Sequence, residues 1–466
     1  MIWTIARREL MEQLTSLRFL IVALLAIGLT PLTVYVGSRD YANRLADYSR
    51  LAAEKQKLAA ATKTVSRAGP VLRALRAPEP LSVLVRGLDG ALPEYWDFSE
   101  GGVVEGPLAT RPQRLLDILG QLDLEFLVRV VLGLLAILLA FDAVAGEKEL
   151  GTLRAVFSQP VPRAAFLGGK LLGGAITLLV PLLLAFPLAL LSARAFGLDL
   201  LSGDRPARVA LLAATSAVYL VSLYALGLLV SSLAHSQKTS LIVLLVGWVL
   251  AALATPPLAT LVAQAVSPAA PADAVEARKR ALATQLEREA WLAMGAVFWE
   301  ITGLPQGTMR TGEYFKHKDA IDRRAVPILL AFLSRRRQMT TELEREAERD
   351  EARQNDWARL FMAFSPAACF AKAAADLGGT GDEQYRAWLE AARRHQSRLN
   401  AALFDDPPYV TFSDRNAAAS VERRKPPLFS SLPAFVPPRR DAGAAFERAL
   451  PGLGLLAAYA GVFIAG

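Results

Sequence analysis

Three histidines, His235, His317 and His395, and one cysteine, Cys369, are the residues from which a metal site or a thiol nucleophile would have to be built. The histidines lie far apart and neither CxxC nor HExxH occurs, so the spacing offers no metal site. Gly378 to Glu383, GGTGDE, has the glycines of a phosphate loop but not the lysine and hydroxyl that would hold phosphates and magnesium. A G-x-x-x-x-G-K-[ST] motif and a nucleophile elbow are both missing from the sequence, and HKD at His317 to Asp319 has the wrong spacing for a phospholipase signature. The chain therefore has no catalytic set of a recognisable kind and does not hydrolyse ATP by itself. Cys369, being alone, forms no intrachain disulfide and reads as a small buried apolar residue. The stretch that remains is charged, short and set between two apolar runs: Glu147 to Arg163, EKELGTLRAVFSQPVPR.

The surrounding elements are those of a membrane protein. The 466 residues are 53% hydrophobic, with a mean hydropathy of +0.31, and the charges fall in blocks. A hydrocarbon core of about 30 Å needs about 20 apolar residues per helix, because backbone amides there can be satisfied only within the helix. Residues 17–36, 126–144, 171–191, 209–233 and 241–262 meet that length, and 449–466 is a sixth span of about 18 residues. It is still apolar at Gly466, which predicts a last helix continuing into a short basic tail. The N-terminal stretch has Glu9 and Glu12 beside Arg7, Arg8 and Arg18, and its apolar run is too long for a signal peptide, so residues 17–36 read as an uncleaved helix. Leu10, Leu14 and Leu17 at helical spacing predict that residues 1–16 lie along the membrane surface or form a plain overhang.

Basic residues in the short loops orient the chain. The N-terminus, the 145–170 loop with Lys148, Arg154, Arg163 and Lys170, and the link holding Lys238 belong on the cytoplasmic side; Arg194, Arg205 and Arg208 in another link run against this signal. Two large segments, 37–125 and 267–447, are then extracytoplasmic. The first is read as a helix leaving the membrane over 44–66, followed by an extended stretch from Pro78 to Glu105 with turns at Gly87 and Gly90. The second is read as helices over 273–299, 334–364 and 384–404, with Pro407, Pro408, Pro426, Pro427, Pro437 and Pro438 punctuating an extended approach to the last span. The expected fold is an α-helical polytopic membrane protein with six spans and two mainly helical outer insertions. The net charge of +8 would suit nucleic acid, but basic residues beside spans are explained by anionic lipid headgroups, and no nucleic-acid partner is expected.

Within the 145–170 loop, Gly146 and Gly151 allow a change of direction and Thr152 can cap a helix carrying Leu153, Val156 and Phe157 on one side. That helix ends before Pro160 and Pro162. A connector that merely reverses the chain needs 2 to 8 residues and not about 25, so the segment reads as a place where a partner docks. Gly169, Gly173 and Gly174 offer small-residue surfaces for helix packing.

These residues also carry a resemblance. FDAVAGEKELGTLRAVFSQPVPRAAFLGGKLLG, from Phe141 to Gly173, resembles the signature of ABC-2-type transporter permeases: an acidic residue, GTL, a charged position and P-V-x-R before the lysine of the next span. PEPLSVLVRGLDG (Pro78 to Gly90) and FSPAACFAKAAADLGGT (Phe364 to Thr380) resemble a subgroup with large extracytoplasmic insertions, related to permeases of nitrous-oxide-reductase maturation and gliding motility. The resemblance implies a permease subunit, an exporter, in a bacterial cytoplasmic (inner) membrane with its N-terminus in the cytoplasm. It implies that the loop is a coupling helix seated in a separate ATPase subunit, which binds ATP and magnesium, with no cofactor in this chain. Glu147, Lys148, Glu149, Gly151, Thr152, Leu153, Arg154, Pro160 and Arg163 would form or shape that contact, and a second copy or a paralogue would complete the membrane unit. Two other readings remain open: a subunit that passes ATP-driven motion to an exterior partner without moving substrate through itself, and a membrane-anchored enzyme with its site in 267–447.

Overall fold

A computed structural model describes residues 1–61, 72–90, 92–99, 102–106, 122–303, 311–404, 409–412, 419–422, 432–439 and 441–465. Pro407, Pro408, Pro426 and Pro427 lie outside the described residues. Among the described residues six helices are long and apolar enough to cross a membrane. In chain order the elements begin with α1 (Ile2–Leu14) and α2 (Leu17–Ala61) and the antiparallel strands β1 (Leu72–Leu75), β2 (Tyr95–Ser99) and β3 (Gly102–Glu105). Then come α3 (Leu124–Phe126), a π turn (Leu127–Leu132), α4 (Gly133–Ala140), α5 (Ala145–Glu149), α6 (Thr152–Phe157), α7 (Arg163–Ala195) and α8 (Arg205–Leu233). The fifth span is α9 (Gln237–Val249), a second π turn (Leu250–Ala254) and α10 (Thr255–Val266). The helices between the fifth and last spans are α11 (Ala272–Thr302), α12 (Thr311–Met362), α13 (Pro366–Gly378) and α14 (Asp382–Phe404), followed by the hairpin β4 (Tyr409–Phe412) and β5 (Ala419–Glu422) and the last span, α15 (Ala442–Ala465).

The second span is the centre of the bundle: 61% of its most apolar stretch is buried, against 17% for the fifth and sixth. Small residues bring helices close there, and a Cβ added to Gly227 would strike Ala140. The outward sides of the spans carry Leu24, Leu183, Ile242 and Val246, exposed within the chain as lipid-facing residues must be. The two π turns are tied together. The Arg129 carbonyl accepts from Tyr219 Oη at 3.0 Å, and Arg129 Nη1 donates to the Ala252 carbonyl at 2.9 Å. Ser365 Oγ donates to the Ala251 carbonyl at 2.7 Å, so carbonyls loosened by the wide turns are satisfied by neighbouring side chains.

The N-terminal helix gains a neighbour, and two expectations are corrected. Helix α1 packs along α7 through Ala6, Glu9 and Gln13, which are buried, whereas Leu17 is exposed. The cause is the bare backbone of α7: a Cβ on Gly169 would sit 2.7 Å from Ile5 Cβ, and one on Gly173 2.7 Å from the Ala6 carbonyl oxygen. Gly174 accommodates the Tyr224 ring, so all three glycines face helices of the same chain. The stretch from Pro78 is not one extended run. Pro80–Val83 is a 3-10 turn, as a proline at the first helical position favours. Val83, Leu84 and Val85 are consecutive and all buried because this segment plugs the end of the bundle. The helix expected from 334 begins at Thr311 and runs through Pro327.

Helix α13 joins the bundle although it is too short to span. It packs on α8 and α15, with Phe370 stacked on Tyr219 at 4.6 Å and Gly452 against Ala373. Cys369 is buried in it, and burial pushes its thiol up to about 11.

Candidate functional site

The loop between the second and third spans has two sides that differ in chemistry. Its three leading charges are engaged by the chain's own helices, Glu147 and Lys148 half-buried and Glu149 exposed. Glu147 Oε1 lies 2.8 Å from Lys170 Nζ, which also holds Glu9 Oε2 at 2.8 Å. Gln13 Nε2 extends the chain of contacts by donating to Glu9 Oε1 at 2.7 Å and to Tyr224 Oη at 2.9 Å. Lys148 Nζ donates to the Ser232 and Ala234 carbonyls, closing the end of α8, where a cation suits the helix dipole. Glu149 Oε2 accepts from the Gln237 amide at 3.1 Å, at the first turn of α9, where an anion is favoured. Ser231 Oγ accepts from the Val144 and Ala145 amides at 3.1 and 2.9 Å and donates to the Phe141 carbonyl at 2.9 Å. One loop is thus fastened to α1, α7, α8 and α9.

The residues that follow turn outward. Gly151 is the N-cap of α6 with φ +75°, a conformation that costs a side chain. Thr152 is therefore not the cap expected from the sequence; it is the first helical residue, and its Oγ1 donates to the Glu147 carbonyl at 3.3 Å. Leu153 and Val156 lean on the bundle core, and Phe157 meets Phe166 edge-on at 5.5 Å. Leu150 is 75% exposed, and Arg154, Ser158, Gln159, Pro160 and Arg163 are exposed. Sequence reasoning missed Leu150, whose signal was its position one residue before the reversing Gly151.

At the opposite end of the bundle the polar residues close on one another. Asp89 is buried between Arg44 of α2 and Arg76, both of which donate to its carboxylate. Burial alone would raise the Asp89 carboxyl, but the two guanidinium groups outweigh it and hold it below the usual carboxylate range. Arg208 of α8 donates to Glu79 Oε1 at 2.9 Å and to the Leu377 carbonyl at 2.8 Å. Thr380 Oγ1 donates to the Val85 carbonyl at 3.1 Å, and the Leu88 amide donates to the Thr380 carbonyl at 2.8 Å. Gly87, at φ +47°, permits this approach, since a Cβ there would lie 2.7 Å from the Thr380 oxygen. The two stretches at 78–90 and 364–380 therefore meet although they are far apart in the sequence. Asp376, beside them, is buried, and burial pushes its carboxyl up to about 6 despite Lys372 at 2.8 Å.

Among the described residues no group of three or more His, Cys, Asp or Glu is placed to hold a metal ion. His395 sits edge-on to Phe98 at 4.8 Å and Phe435 at 5.4 Å in the small outer core that also stacks Trp96 on Trp388.

No curated protein is similar enough to this chain to stand as a relative. Residues 3–371, which include the 145–170 loop and five of the six candidate spans, match the model of the ABC-2 family transporter proteins. The chain thus belongs to the ABC-2 family of transporter proteins, as a multi-pass membrane component whose family membership implies an ABC ATPase subunit as its partner.

Proposed function

We propose that this chain is the permease subunit of an ABC exporter and that its ATPase seats on the face formed by Leu150, Arg154, Phe157 and Pro160. The observation that carries the reading is the division within 147–160. The charges of Glu147, Lys148 and Glu149 are used by the chain's own bundle, while apolar Leu150 and Phe157 are left outward beside Arg154. Burying a leucine or phenylalanine side chain contributes about 1.5–3 kcal/mol, which favours a protein surface over water at this face. ATP and magnesium belong to the ATPase. Two such chains, identical or paralogous, make the membrane unit, in a bacterial cytoplasmic membrane with the N-terminus and the 145–170 loop inside and with 37–125 and 267–447 outside.

Movement of the docked segment reaches three helices at once: α7 through Glu147 and Lys170, α8 through Lys148, and α9 through Glu149. ATP-bound and ATP-free states need only be favoured differently by this contact for hydrolysis to drive a conformational cycle. A second reading, transmission of motion to an exterior partner, is favoured by the length of the outer helices: α11 and α12 have 31 and 52 residues, about 46 and 78 Å at 1.5 Å per residue.

The test is co-purification. The ATPase that accompanies the unaltered chain is expected to be lost when Glu147 to Arg154 is replaced by a Gly-Ser linker, with the variant still extracted as a folded protein. An undiminished complex would refute the docking role. Substrate flux in liposomes holding only the permease and its ATPase would then exclude the second reading.

A further inference from the structure

Helices α11 and α12 form an antiparallel hairpin whose pairing is fixed by three ion pairs: Lys279 with Glu344 at 2.5 Å, Arg335 with Glu289 at 3.4 Å and Arg324 with Glu300 at 2.6 Å. The C-terminal part of α12 continues along α10, and Ser365 just beyond it bonds to the Ala251 carbonyl in the fifth span. The hairpin therefore projects beyond the outer end of the bundle. Its register brings together two uncharged runs separated in the sequence, Ala290 to Trp299 (AWLAMGAVFW) on α11 and Ala325 to Leu333 (AVPILLAFL) on α12. They make one belt about 15 Å tall, bounded below by Arg335 with Glu289 and above by Arg324 with Glu300.

Half of this belt is explained. Met294 and Phe298 are buried toward α12, where Phe298 packs with Ile321 and Ala325. The other side of α11 is not. Leu292 is 67% exposed, Trp299 60% and Trp291 43%. Leu292, Ala296 and Trp299 form a stripe on the side of α11 facing away from α12, at spacings that suit a neighbouring parallel helix, with Trp291, one heptad before Phe298, at its edge.

What covers the stripe can be argued from its size, height and rims. Four side chains fall well short of the roughly 1,200 Å² that a stable interface with a free partner buries, so a protein arriving from solution would find too little here. A second copy already held beside the first in the membrane does not need that area, because its effective concentration is high. A two-fold axis along the membrane normal also sets the two belts at the same height. Each rim carries both signs of charge, so like copies do not repel. A lipid leaflet fits less well, since the charged rims and Lys316, Arg323 and Arg324 toward the tip would have to enter it.

We infer that the Trp291, Leu292, Ala296 and Trp299 face of α11 is a contact between two copies of this chain, at which the outer hairpins stand side by side. The inference rests on the proposed pairing of two permease subunits in the membrane. It assigns the hairpin a role in holding or reporting the relative position of the two outer domains.

Cys369 is the only cysteine, so Cys369→Ala supplies a cysteine-free background in the full-length protein. Leu292→Cys and Trp299→Cys are then compared with Ser334→Cys, which is exposed at the same height but on α12, away from α11. Mass in detergent is measured in parallel by native mass spectrometry. The expected result is a dimer by mass, with disulfide-linked dimer from positions 292 and 299 at least tenfold above that from 334. A dimer by mass with no excess at 292 and 299 would overturn the hairpin contact and leave the paired permease intact. A monomer by mass would overturn the pairing of identical copies, and with it this inference, while leaving a paralogous pair untouched.

Discussion

The two polar ends of the bundle are built to opposite plans. At the outer end, Arg44, Arg76, Glu79, Asp89 and Arg208 are all buried and all ion-paired within the chain. At the inner end, Glu147, Lys148 and Glu149 also have partners within the chain although none is fully buried, and the next turn of chain offers Leu150, Arg154 and Phe157 to the outside. Closed polar clusters fix how segments sit on one another, whereas an anchored loop with an unanchored face receives something. Under the proposed function, the contrast makes the end with the 145–170 loop the place where the ATPase acts and the opposite end a structural closure.

The contrast is broken most directly by mutation at the outer closure. Arg208→Ala leaves Glu79 buried without its ion pair and should cost about 3–5 kcal/mol, read as a large fall in the thermal midpoint of the detergent-solubilised protein. Arg154→Ala at the inner face should change stability by no more than about 0.5 kcal/mol. Equal effects would remove the distinction. A smaller effect is expected at Gly151, whose φ of +75° makes Gly151→Ala cost about 1–2 kcal/mol. Nothing lies within 4 Å of the Cβ it would gain, so the cost falls on the backbone of the loop. Hydrogen exchange should quicken at 150–157 and stay unchanged at 78–90.

The smallest effect sharpens the outer end by pH. Asp376 has its carboxyl raised to about 6, so the folded state holds a proton there that the unfolded chain has released above the usual aspartate value. Its contribution to stability is present at low pH and lost as pH rises from about 4 through about 6. Asp89, held low by its arginines, has the opposite sign and contributes above the usual carboxylate range. Asp376→Asn should flatten the fall between pH 4 and 6 in thermal denaturation, and an unaltered slope would show that the raised carboxyl is not felt.

The spans were legible because lipid imposes a length and a composition on them, and the six long apolar helices answer to the expected runs. Gly151 was legible as a reversal because φ above zero favours glycine. The direction of Glu147, Lys148 and Glu149 was not, since three adjacent charges give no sign of whether they face a partner or Lys170, Ser232 and Gln237. Helix α13 was hidden by its length and small residues: an alanine-rich stretch of 13 residues is too short to read as a span, although ten of them are buried. The Arg44, Asp89 and Arg208 contacts join segments far apart in sequence, and spacing carries no trace of them.

The central claim is tested by photo-crosslinking from single positions at the two ends. A benzophenone amino acid is placed at Leu150 or Phe157 on the inner face and at Leu88, exposed at the outer end, in full-length protein expressed with its ATPase. The account predicts adducts carrying the ATPase from 150 and 157 and none from 88. Absence of that adduct from both inner positions, with the complex still assembled, would contradict it.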